Sequence, residues 1–188
     1  MPATATPARY DRTAAAILDA AAHTLAEHGS SANMAEVAAA AGVSRATLYR
    51  YYPSREALLE ALTAKAVAET GARIADAGLD RCPAPEALER AVRAILAAGD
   101  RYAVLIGEQI EHDLSETDRL IGDPLRAVFA RGIEEGLLRN DIPTEVMHRL
   151  FGGLLMAAVK LVGERQLGLE ETAAATTKLF LDGARPVS

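Results

Sequence analysis

The chain contains no tryptophan, one cysteine, three phenylalanines and five tyrosines, and its only lysines are Lys65, Lys160 and Lys178. A single cysteine, Cys82, excludes an internal disulfide. It lies in DRCPAP, which reads as a loop carrying a passive thiol. No run of about 18 apolar residues occurs, so no membrane span is expected. The N-terminal MPATATPARYDR lacks the apolar stretch of a signal peptide. Both absences lead to the expectation of a cytoplasmic protein. Catalytic arrangements are missing as well. No Ser or Cys nucleophile has a placed His, no Gly-rich loop cradles phosphate, no HExxH occurs, and the four histidines are scattered. No catalytic residue, metal ligand or cofactor is therefore assigned, and an enzyme is not expected.

What is present is Ala, Leu and Glu in quantity, which favours an all-α fold. A length of 188 residues suits a unit of about 50 residues plus one larger helical domain. Ala14, Ile17, Leu18, Ala21 and Leu25 recur at helical spacing and predict a first helix over 11–28, closed by Gly29. A long helix is predicted from Ser54 to Ala77, so the boundary between residues 1–62 and 63–188 falls inside it. Further helices are expected over 86–98, 100–113, 124–135, 144–165 and 170–184. LSETDRLIGD reads as a connection with room for a short turn of helix, and Thr144 reads as a cap.

The segment Val37 to Arg55, VAAAAGVSRATLYRYYPSR, carries the most information. Two short helices meet at Gly42, which takes positive φ at little cost. Ala38 leaves room where the helices cross. Val37, Ala41, Val43, Leu48 and Tyr51 form a small core, while Asn33 and Ser44 are placed to cap the two helices. An ordinary helical hairpin satisfies that much. The second helix goes further: Arg45, Thr47, Tyr49 and Arg50 cannot all be buried on so short an element. Phenol hydroxyls and guanidinium groups on one surface suit phosphates, sugars and base edges. No acidic residue lies between Glu36 and Glu56, while Arg45, Arg50 and Arg55 do. Ser54 caps the next helix and sets Arg55 at its start, where backbone N–H groups attract phosphate. The whole chain carries a net charge of −6. Residues 1–65 balance six basic against six acidic side chains, so attraction to DNA would rest on local placement.

GVSRATLYRYYPSREALLEAL, from Gly42 to Leu62, resembles the DNA-binding signature of the TetR family of bacterial regulators. The pattern A-G-V-S-x-x-T-L-Y-x-Y-F-x-S-K-E-x-L is met at Ala41, Gly42, Val43, Ser44, Thr47, Leu48, Tyr49, Tyr51, Ser54, Glu56 and Leu58. Tyr52 stands where Phe is usual and Arg55 where Lys is usual. The resemblance covers residues 9–62. It implies an all-α homodimer with an N-terminal helix-turn-helix unit, followed by a larger helical domain for dimerisation and ligand sensing. It also implies that Ser44, Arg45, Thr47, Tyr49, Arg50, Tyr51 and Arg55 lie at the DNA. The motif does not decide which of Arg45 and Arg50 touches a base.

The resemblance further implies a double-stranded DNA operator, a homodimer through the last two helices, and an unknown small-molecule effector. The penultimate helix agrees, being apolar on more than one side at Leu150, Leu154, Leu155, Val159 and Val162. In the last helix Ala173, Thr176, Thr177, Leu179 and Phe180 are the matching candidates. If the sensor analogy holds, Tyr102, Leu105, Gln109, Phe129, Phe151 and Met156 are candidates to line its pocket, and each is equally suited to a core. Glu108 and His112 stand four apart but have no third partner for a metal. A repressor is the leading expectation. An activator of the same family, or a helical partner-binding protein that does not bind DNA, are the alternatives.

Overall fold

The computed structural model describes residues 7–99, 103, 105 and 114–186. Helix α1 (Pro7–His28) leads through a 3₁₀ turn to α2 (Met34–Ala40), α3 (Arg45–Tyr51) and the long α4 (Arg55–Asp76). After a second 3₁₀ turn (Leu79–Arg81) comes α5 (Ala84–Gly99). Then α6 (Leu114–Thr117) continues through a π turn (Asp118–Gly122) into α7 (Asp123–Glu134), followed by α8 (Thr144–Gly163) and α9 (Leu169–Ala184). No strand occurs among the described residues.

Two apolar cores organise the chain, and α4 takes part in both. The first joins Ile17, Ala21 and Leu25 of α1 to Val37, Ala38, Leu48, Tyr52 and the α4 residues Leu58, Leu59 and Leu62. The second is built around α5, which buries Ala84, Ala87, Leu88, Ala91, Val92, Ile95 and Leu96 against α4, α7, α8 and α9. Ile74 carries α4 into this second core. The change from one core to the other thus falls within α4, between Leu62 and Ile74. Lys65 Nζ, 3.0 Å from Asp19 of α1, braces the helix on the first side.

Of four segments, three depart from expectation and the second lies outside the described residues. First, α1 opens at Pro7 rather than Asp11, in keeping with proline's fitness for a first helical turn. Second, the helix expected over 100–113 lies outside the described residues, apart from Ala103 and Leu105. Third, LSETDRLIGD is helical rather than a connection. Arg126 holds its π turn in place, with guanidinium contacts to Asp118 (3.2 Å), Asp123 (2.9 Å) and Glu145 of α8 (3.4 Å). Leu120 of that turn presses on α4 at Gly71, where a Cβ would come within 2.8 Å of the Leu120 Cβ. Only glycine permits so close an approach. Fourth, Thr144 is the first residue of α8 and does not cap it; Pro143 precedes the helix with no side-chain cap.

His148 of α8 sets a pH dependence. Burial, reinforced by the Arg126 charge, holds its imidazole below the ordinary value of 6.5, against the opposing pull of Glu145 and Asp118. The folded state therefore keeps this ring neutral where the unfolded chain would protonate it. Stability is complete above about pH 6.5 and falls as pH drops toward the folded-state pKa. Thermal unfolding followed from pH 7.5 to 5.5 should show a decline that His148→Gln flattens. An equal decline in that variant would assign the effect elsewhere.

Candidate nucleic-acid interface

Short polar contacts build the N-terminal unit. Asn33 Oδ1 accepts from the backbone N–H of Ala35 (2.9 Å) and Glu36 (3.2 Å), and Glu36 Oε2 accepts from the Asn33 N–H (3.0 Å). This reciprocal cap fixes the start of α2. The chain then reverses at Gly42, φ 65°, whose N–H bonds the Ala39 carbonyl, while the Val43 N–H bonds that of Ala38. Ser44 Oγ accepts from the Thr47 N–H at 3.1 Å and lies 2.9 Å from Thr47 Oγ1. Ser54 Oγ likewise accepts from the Ala57 N–H at 3.1 Å and starts α4. The three caps expected in this unit are all present, unlike that expected at Thr144. Each is worth on the order of 1 kcal/mol, and a seven-residue helix such as α3 needs that help.

Leu48 is fully buried and pins α3 to α1, α2 and α4. Tyr52, read from the sequence only as a replacement for Phe, belongs to this core. Its hydroxyl donates to the Ala14 carbonyl at 3.4 Å, so the extra oxygen is satisfied. Ala41, Val43 and Tyr51 pack against the core while partly exposed. With Leu48 turned inward, α3 shows Arg45, Ala46, Tyr49 and Arg50 to solvent, and Tyr49 is 47% exposed. Thr47 and Tyr51 are half-buried at the margins. The Arg50 guanidinium lies over the Tyr51 ring, 5.5 Å from its centroid. Arg55, half-buried, opens α4. Beside it, hydrogen bonds to its own backbone and to Ser54, with the Arg55 charge assisting, hold the Glu56 carboxyl below its usual pKa.

Of the four described residues among the expected effector-lining set, Phe129 and Phe151 come together and Met156 and Leu105 lie apart from them. Phe129 and Phe151 are fully buried and form one ring cluster with Phe180, at centroid distances of 4.6–5.6 Å. Met156 is 45% exposed on the outer side of α8, because the inner side is taken by Phe151, Leu155 and Val159. Leu105 packs on the N-terminal core rather than on the ring cluster. Tyr102 and Gln109, with Glu108 and His112, lie outside the described residues. An apolar groove of about 380 Å³ does occur elsewhere, between α4 and α7. It is lined by Gly71, Ile74, Leu79, Leu120, Pro124 and Val128 among others. Its glycine and scattered leucines gave no periodic signal in the sequence.

A capped helix-turn-helix with an outward, aromatic- and arginine-bearing second helix defines a DNA-binding unit. Comparison with known proteins agrees. Residues 17–62 match the model of bacterial regulatory proteins of the tetR family. Over 89 residues the chain is 44% identical to the HTH-type transcriptional repressor LfrR of Mycolicibacterium smegmatis. That alignment takes in 47% of this chain and 47% of LfrR, so it spans about half the repressor's length. The HTH-type transcriptional regulator NfxB of Pseudomonas aeruginosa is 27% identical over 158 residues, covering 81% of this chain and 84% of NfxB. Among solved structures, LfrR from Mycobacterium smegmatis in complex with proflavine superposes with a TM-score of 0.76 at 28% identity. That superposition covers 94% of this chain and 99% of LfrR. Residues 17–62 thus carry the N-terminal unit of the tetR family of bacterial regulatory proteins, and the relatives the chain matches are named as regulators rather than enzymes.

Proposed function

We propose that the protein is a dimeric cytoplasmic repressor that binds a palindromic operator and leaves it when a small molecule occupies the domain of residues 63–188. The observation that carries the reading is the outward surface of α3. Tyr49 and Arg50 stand exposed beside Arg45, on a helix whose Leu48 is locked inside. A bundle that never met DNA would gain nothing from this arrangement, and exposed aromatic area of this kind calls for a partner. The DNA-contacting set is Ser44, Arg45, Thr47, Tyr49, Arg50, Tyr51 and Arg55.

Two copies are needed to read two half-sites about 34 Å apart. The outer sides of α8 and α9 supply an apolar surface for this pairing. Leu150 is 65% and Leu179 68% exposed, and Val146, Met156, Ala157 and Gly153 are exposed near them. Ala173, Thr176 and Thr177, first assigned to that surface, instead pack within the chain. By length and composition α8 would also suit a membrane. Its Phe151, Leu155 and Val159 sit in the second core, which favours a partner helix over lipid. The bound proflavine of LfrR supports an effector with a flat ring system. Coupling of about 1–3 kcal/mol between the sites would suffice for release.

Tyr49→Phe should weaken operator binding about 5-fold, and Arg55→Ala should make the dependence on salt shallower by about one charge. Both are read from titrations of the protein's own upstream region at several salt concentrations. Unchanged affinity and slope in both variants would remove these residues from the interface.

A further inference from the structure

The structure separates the roles of the two arginines on α3. Successive residues of a helix turn by about 100°. With Leu48 inward, Ala46 and Arg50 occupy the opposite direction, and Arg45 and Tyr49, four apart, stand on one flank. Arg50 is exposed but engaged by its neighbour. Its guanidinium is laid on the Tyr51 ring at 5.5 Å, at the trailing end of the helix, where its free edge suits a phosphate. Ala46, exposed and opposite Leu48, carries only a methyl, a side chain too short to hold the helix away from a groove floor. Arg45 stands next to it at the leading end, exposed, and helices of this kind meet base edges with their leading residues.

We propose that Arg45 reads a guanine, that the Ala46 methyl rests against the methyl of a neighbouring thymine, and that Arg50 grips the backbone without sequence preference. This rests on the operator reading and assigns the chemistry of each half-site. Arg matches the O6 and N7 acceptors of guanine with two parallel hydrogen bonds, and alanine matches the thymine methyl.

The test uses the full chain. Duplexes are selected from a random pool, and the best one is remade with 7-deazaguanine for guanine, or uracil for thymine, at one half-site position at a time. Wild-type protein should lose about 10-fold at one 7-deazaguanine position and about 3-fold at an adjacent uracil. Arg45→Ala should bind more weakly overall and show no penalty for that 7-deazaguanine. Arg45→Lys, which keeps the charge but not the fork, should retain the salt slope and lose most of the penalty. Arg50→Ala should weaken every duplex equally, keep the 10-fold penalty, and reduce the salt slope by about one. A penalty that survives Arg45→Ala, or vanishes in Arg50→Ala, overturns the division of roles. The absence of any uracil penalty overturns the part played by Ala46. A pool in which no duplex is enriched overturns the operator reading along with this one, whereas enrichment without the base pattern overturns this one alone.

Discussion

Phe129→Ala lowers the free energy of unfolding by about 3–5 kcal/mol, a large share of the roughly 5–15 kcal/mol that holds a domain together. Phe129 has no exposed surface and meets three rings edge-on or tilted: Phe151 at 5.5 Å, Phe180 at 5.6 Å and His148 at 6.3 Å. Truncation removes the transfer energy of the ring and leaves a cavity that α7, α8 and α9 cannot close together. It also deletes edge-to-face contacts worth about 0.5–1.5 kcal/mol each. Denaturant titration should show an earlier midpoint with little change in slope. Phe129→Leu, which refills most of the volume, should lose less than half as much. A loss under about 1 kcal/mol for the alanine variant would mean that the ring lines an accessible pocket after all.

For the proposed dimer, Leu150→Glu combined with Leu179→Glu should abolish pairing of the chains and lower operator affinity by about 10²–10⁴-fold. Both leucines are among the most exposed large apolar residues of the chain, on α8 and α9. In a two-fold interface the same patch faces itself, so each substitution enters twice and brings like charges together without water. A single copy then holds one half-site, and the effective concentration that ties the second recognition helix to its own half-site is lost. Sedimentation velocity reads the first effect and operator titration the second. A variant that still sediments as a dimer would move the interface to another surface.

The N-terminal unit was legible because its determinants are local. Asn33, Gly42, Ser44 and Ser54 act within three or four residues of themselves, and the expected caps and turn are found where the sequence put them. Tyr52 was missed as a core residue because its partner, the Ala14 carbonyl, lies 38 positions away. The second domain was read less well for the same reason. Asp118–Gly122 becomes a π turn through Arg126 and Glu145, a pairing that no window of sequence displays. Phe129 and Phe151 suit a core and a pocket equally in composition, and their meeting with each other and with Phe180 joins three helices far apart in sequence. On α9 the buried side is chosen by α5, which turns Thr176 and Thr177 inward and leaves Leu179 outside.

The unbroken run of α4 from Leu58 to Ile74 has a consequence for how such proteins are recombined. One residue inserted between Leu62 and Gly71 would lift the reading head by about 1.5 Å and swing it by about 100° around the shaft. A seven-residue insert would bring it back to within about 20°. Heads and bodies of different regulators can therefore be spliced here only where the seam keeps angular phase, and length alone is a poor guide to where to cut.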